Sequence, residues 1–527
     1  MTLPLALLLL ACSSDSDGPP SFVIQPEPVP EPSPAPAPAP LAAPPAAMAV
    51  VFEQGVTGGV ASDLGAQRIA MGDGASTWSI DHVAVVSDSA YHERSPAAVP
   101  DGAGGFIAVY EAEVPEGELK GDLDLLAQRL DADGLRAWGE GTQSIVLAST
   151  GVVERAPTLV RDSTGGAYVL FERHGHDEQG NLDSDLAGQH LGHDGKLLWA
   201  EGSQMGLPIA TGPGLVSGVV AVADGMGGLL VVFELEPVSG PNAGSHELWA
   251  HRIAPFGAPQ WGNDGLPIAV AKGSVSDAAV LPDGEGGALV VFREEVVEGQ
   301  GAGDFDLMVQ RVAPDGTLPW SGDPQAYKVV SATTLVEHAP AIVSDGAGGV
   351  IVAYQAQWIE GPRAGQLDLF AQRIDASGTG LWNDGAPVPL ASSDWTEHNP
   401  VLVTDGAGGA IAVFSQAPPS SHLSGDQDIY AQRLGPDGSL LWHDGAKSAV
   451  LSATTHLERN PSAASDGAGG VVVFFEAVAS KGEFAGDSEL VAQRMDAAGK
   501  RLWGEGTAPK PVAWGQVLER NPVVVVP

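Results

Sequence analysis

Six dipeptides in this chain set a carboxylate beside a basic or titratable neighbour: Glu93-Arg94, Glu154-Arg155, Glu337-His338, Glu397-His398, Glu458-Arg459 and Glu519-Arg520. They recur at multiples of roughly 60 residues, and GLVSGV and GSVSDA replace them in two consecutive repeats. Two kinds of chemistry fit: a ring of ion pairs between neighbouring units, or a charged mouth that selects a ligand, for which Glu337, His338, Glu397 and His398 are the candidate binding residues. Trp358 and Trp395 stand near these pairs, outside the chain's regular tryptophan spacing, and are candidate aromatic anchors for a protein or glycan. A histidine-rich stretch, ERHGHDEQGNLDSDLAGQHLGHDG, holds His174, His176, His190 and His193. An intervening strand of roughly five residues at about 3.3 Å each keeps the first two from sharing an ion with the last two. His174, His176, Asp177 and Asp183 remain as metal-ligand candidates, and the expectation is that no metal or other cofactor is bound. No nucleophile is paired with a base in any recognisable spacing.

The elements that must position these residues come from one repeat. Tryptophans fall at 78, 138, 199, 261, 320, 382, 442 and 503, each preceded by an AQR-like triplet ending at Arg68, Arg129, His190, Arg252, Arg311, Arg373, Arg433 or Arg494. A DGAGG-like turn begins at Asp101, Asp162, Asp224, Asp283, Asp345, Asp405 and Asp466 and always stands 28 residues before the arginine position. That constancy predicts structural Asp–Arg pairs. Each unit reads as four strands separated by turn signals. The second and third are apolar at both parities, as in Phe106, Ile107, Ala108, Val109 and Tyr110, so both faces of each sheet must be covered. Sheets stacked around an axis meet that demand, which predicts an all-β, eight-bladed β-propeller of four antiparallel strands per blade over 47–527. AMAVVFEQ at 47–54 starts at a second strand and ERNPVVVVP at 519–527 supplies a lone first strand, so the ends are expected to pair and close the ring.

Composition narrows the partners. The 527 residues carry 25 Lys+Arg against 66 Asp+Glu, a net charge of −41 that repels nucleic acid and anionic lipid. Cys12 is the sole cysteine, so neither an intramolecular disulfide nor a thiolate cluster is available. The segment 1–11 with Leu9-Leu10-Ala11-Cys12 resembles a bacterial lipoprotein signal, which implies lipidation at Cys12 and an envelope location, outer membrane in preference to inner. Residues 12–46, rich in proline, read as an extended tether. Membrane contact is then expected through the lipid alone, and the chain is expected to be monomeric.

The turns LDADGLRAW, IDASGTGLW and MDAAGKRLW resemble the tryptophan-docking motif of eight-bladed propellers, one residue short between Asp131 and Gly134. That resemblance implies a tryptophan wedged against the neighbouring blade. Two relatives share the architecture, quinone-dependent dehydrogenases and the lipoprotein subunit of the outer-membrane barrel-assembly machine, and the whole unit is similar to bacterial surface repeats. Dehydrogenases of that type use an adjacent cysteine pair, which this chain lacks. The sialidase Asp-box spacing is also absent, since glycine precedes tryptophan by four residues instead of three. The sequence therefore favours a non-enzymatic binding or scaffold protein that displays the varied connections between second and third strands on one face. The alternative is an extracytoplasmic propeller enzyme, a hydrolase, lyase or quinone-dependent dehydrogenase, with its site at the channel mouth.

Overall fold

The computed structural model describes residues 45–526 apart from 57–61, 79–82, 116–119, 142, 177–179, 241, 300–301, 419–426, 446, 480–485, 505 and 514–516. Cys12, the segment up to residue 44 and Asp177 lie outside the described residues. Among those described, the chain forms thirty-two strands and five short 3-10 turns. The strands make six sheets of four and one of eight, whose two halves are joined by a single parallel bridge between Ser184 and Leu215. A representative unit runs His92–Pro100, Phe106–Glu113, Leu123–Leu130 and Ile145–Ala148, each strand antiparallel to the one before.

Burial on both faces explains the missing alternation. In the strand Ala47–Val56, Met48, Val50 and Phe52 pack against Val472, Phe474, Leu490 and Trp503, while Ala49 and Val51 pack against Phe106, Ala108 and Tyr110. The other sheets are buried between their neighbours in the same way. The fold is a β-propeller. Its ends meet as expected: Val517–Val525 pairs antiparallel with Ala47–Val56, Val525 opposite Ala49 and Glu519 opposite Gln54. First strands of successive units touch one another in an unbroken cycle, which places them around the axis.

The repeated triplets have one job each. Gln128 Oε1 accepts the Arg129 and Trp138 N–H groups, at 2.9 and 3.1 Å, so the glutamine of AQR holds the tryptophan. The arginine closes the Asp turn: Asp345 Oδ1 accepts the Ala347 and Gly349 N–H groups, and Arg373 binds its Oδ2 at 2.9–3.0 Å. The same pairing joins Asp101 to Arg129, Asp224 to Arg252, Asp283 to Arg311, Asp405 to Arg433 and Asp466 to Arg494. His190 takes the arginine's place on Asp162 at 2.8 Å. Each tryptophan then reaches the next unit. Trp382 donates its indole N–H to Pro436 O at 2.9 Å and lies beneath Gly438. There φ is +83° and a Cβ would approach the ring to 2.8 Å, so glycine is required for both reasons. The cycle ends where it began, with Trp503 beneath Gly74.

Candidate functional site

The six glutamates of the Glu-Arg and Glu-His pairs occupy equivalent positions at the start of a first strand, and all six are fully or almost fully buried. Each turns away from its sequence neighbour, because successive residues of a strand point to opposite faces. Glu337 Oε1 accepts the Ser331 and Thr333 hydroxyls, at 3.0 and 2.5 Å, and Glu458 Oε1 accepts Ser452 and Thr454 at 2.8 and 2.7 Å. Thr150 donates to Glu154, and Ser87 and Ser89 to Glu93. In all six the second oxygen, Oε2, has no partner. Burial is the main cause that pushes Glu154, Glu337, Glu397 and Glu458 up to about 7 and Glu519 to about 8.

The expectation of ion pairs between units is therefore corrected. The arginines pair inside their own unit, across strands: Arg94 with Glu111 at 3.1 Å, Arg155 with Glu172 at 3.3 Å and Arg459 with Glu476 at 2.9 Å. A bulge follows each pair, with φ near +50° at Ser95, Ala156, Ala339, Asn399, Asn460 and Asn521. It turns a backbone N–H toward the preceding unit. Ala156 N donates to Glu111, Asn399 N to Gln355 and Asn521 N to Glu476, each at 2.9 Å. The link between units is this N–H. At the histidine-bearing positions, His338 meets Gln355 at 3.3 Å and His398 stands opposite Ser415.

The histidine-rich stretch does not form the tetrad that spacing suggested. His174 stands opposite Ser184 and His176 opposite Leu182, whereas Asp183 is opposite Gly175, so Asp183 projects from the other face of the hairpin. His174 is bonded to Glu172 at 2.8 Å and to Arg155 at 3.0 Å. Among the described residues, the acidic or histidine group whose ligand atoms converge within 4.8 Å is Asp304, Asp306 and Glu337. Sequence reasoning passed over the two aspartates. The signal was the doublet of acids opening third strands, as in GDLDLL and GDFDLM.

Glu397 differs from its equivalents in its surroundings. It lines a crevice of about 860 Å³ with Trp395, Ser393, Gln416, Tyr430 and Lys447. A second crevice of about 670 Å³, lined by His443, Lys500 and Arg501, shares Lys447, Ser448 and Val450 with it. The Glu397 carboxyl accepts Ser393 Oγ and Gln416 Nε2, both at 2.7 Å. Behind it, the buried Asp368 accepts the Trp358 indole N–H at 2.8 Å, Ser392 Oγ at 3.0 Å and Arg363 at 2.5 Å. Arg363 also stacks 4.8 Å over the Trp358 ring and donates to Ser393 O. Trp358, expected as an exposed anchor, is partly buried and tied to this network, while Trp395 is 37% exposed. Burial raises the Glu397 pKa first and Asp368 adds to it, against the lowering by Ser393, Gln416 and Arg363.

No protein-family model matches the chain, and no curated protein does. Solved structures do. A Dyadobacter fermentans protein of unknown function is similar at 13% identity and TM-score 0.34, over 66% of this chain and 96% of its own. A thermostable family-43 glycoside hydrolase is similar at 11% identity and TM-score 0.32, over 58% and 95%. The α-L-arabinofuranosidase of Lactobacillus brevis is similar at 13% identity and TM-score 0.29, over 57% and 97%. Against the expected non-enzymatic scaffold, glycoside-cleaving enzymes recur among these similar structures, a likeness of fold alone at these identities and TM-scores. A catalytic reading therefore rests on the site itself.

Proposed function

We propose that this chain is an eight-bladed, envelope-anchored propeller enzyme that hydrolyses a glycosidic bond, with Glu397 as general acid. The count of eight is supported by thirty-two strands that fall into four-strand units closed by the C-terminal strand. Anchoring at the outer membrane is supported by Leu9-Leu10-Ala11-Cys12 and the Pro-rich stretch behind it.

The observation that carries the catalytic reading is a carboxyl held up to about 7 in a crevice lined by Trp395 and Tyr430. At neutral pH such a group retains a proton that an ordinary glutamate has lost, which is what protonating a leaving-group oxygen requires. Ser393 and Gln416 occupy Oε1, so Oε2 carries the proton. That proton goes to the glycosidic oxygen as the bond to the anomeric carbon breaks, water adds to that carbon, and the proton the water sheds returns through solvent to restore the acid form of Glu397. Glu397 is itself fully buried, so substrate reaches its Oε2 only when side chains lining the crevice move aside. The aromatic pair offers faces for a sugar ring, and the adjoining crevice gives room for further sugar units.

The test is release of reducing sugar by the purified chain from a panel of neutral and acidic polysaccharides, arabinan among them. Wild type is expected to act on at least one member, and Glu397→Gln to lose about 100-fold or more. No release across the panel, or equal release by the variant, overturns the reading.

A further inference from the structure

Asp304, Asp306 and Glu337 bring one carboxylate oxygen each within 4.8 Å of the others, at the seam between the third strand Asp304–Val312 and the next unit's first strand Val336–Ser344. Asp304 is 3% exposed and Glu337 is fully buried. Asp304 Oδ1 takes the Phe305 N–H at 2.7 Å, and Glu337 Oε1 takes Ser331 and Thr333. Asp304 Oδ2 and Glu337 Oε2 are left without partners. Glu294 stands opposite Asp306 across the strands and adds a fourth acid. No ion pair to Asp304, Asp306 or Glu337 is found among the described residues.

The next unit fills the same seam with a cation of its own. There the equivalent positions are Gln366, Asp368 and Glu397, and the chain supplies its own cation, Arg363, bonded to Asp368 at 2.5 Å. One acid is replaced by an amide and a guanidinium fills the gap. The Asp304 seam keeps all three acids and has no such arginine.

We propose that Asp304, Asp306 and Glu337 bind a calcium ion that bridges the two units, in the place Arg363 takes in the next seam. Three carboxylates and no nitrogen or sulfur donor select a hard cation, and calcium gives up its water more readily than magnesium at a buried site. The ion removes the cost of two unpaired buried oxygens and ties a third strand to its neighbour's first strand. This inference is independent of the glycan-cleaving reading.

Equilibrium dialysis of the chelator-treated full chain against radioactive calcium alone tests it. One calcium per chain is expected for wild type, with affinity at least 30-fold weaker in Glu337→Gln and in Asp306→Asn. Glu154→Gln, the same position three seams before, should leave that calcium in place. Should Glu337→Gln fail to fold, Asp306→Asn, a half-buried position, decides. No stoichiometric uptake by wild type, undiminished uptake in the folded variants, or uptake of magnesium in preference to calcium overturns the proposal.

Discussion

Glu337 and Glu397 hold the same place in neighbouring units and share one hydroxyl contact, from Thr333 and Ser393 respectively, yet one faces two aspartates and the other a crevice with an aromatic mouth. The difference lies in residues 30 or so positions away, which is why the dipeptides showed that these glutamates matter and not what each one meets. Trp358 and Trp395 were legible as outliers of the tryptophan spacing. Their unequal roles were not, because Trp358 is set by Asp368 and Arg363 across a hairpin. Trp395→Ala is accordingly expected to raise KM by about tenfold while moving the melting temperature by less than about 2 °C, since its ring is partly exposed. Trp358→Ala leaves a buried carboxylate short of a donor and should cost about 1–3 kcal/mol of stability, measurable by denaturant unfolding. A Trp358 variant as stable as wild type contradicts the network.

At the scale of elements, the constant spacing of 28 made the Asp–Arg turn legible, because a fixed separation across a hairpin means that two side chains share a register. The bulge after each Glu pair was not legible: Ser95, Ala156 and Asn521 share a left-handed backbone and no common side chain. Missing it turned a bond from backbone to carboxylate into an expected ion pair. Asp345→Ala removes the acceptor of two turn N–H groups and strands Arg373 at a mostly buried site, a loss of about 3–5 kcal/mol in denaturant unfolding. Trp382→Ala, which vacates the space beneath Gly438, should likewise cost about 3–5 kcal/mol. Either variant unfolding at the wild-type midpoint argues against the interlocking role of the turns.

On the scale of the molecule, eight regularly spaced tryptophans against seven DGAGG turns made the closure legible, and the strand Val517–Val525 beside Ala47–Val56 supplies it. The crevice was not legible, since it forms only when two units are set side by side. The seams also give the whole chain a pH response. Glu154, Glu397, Glu458 and Glu519 have folded-state values of about 7 to 8, above the ordinary 4.5, so the stability they favour is complete below pH 4.5 and is lost as pH rises through 7 to 8. Glu337 does not join them, because the proposed calcium would hold it ionised. Asp101 acts oppositely: burial raises it, but the Ala103 N–H, Arg129 and the Gly105 N–H together bring it below 3.8, and its contribution is lost as pH falls. Calorimetry should find the highest melting temperature near pH 5 and a fall of roughly 5 °C or more by pH 8. A melting temperature that rises over that interval contradicts the protonated seams.

The most direct measurement of the central claim is the rate of sugar release by wild type and Glu397→Gln as a function of pH. A buried acid at about 7 predicts a wild-type rate that falls tenfold per pH unit above that value, and a variant rate that is lower throughout and lacks this limb. Wild-type and variant profiles of the same height and shape would contradict it.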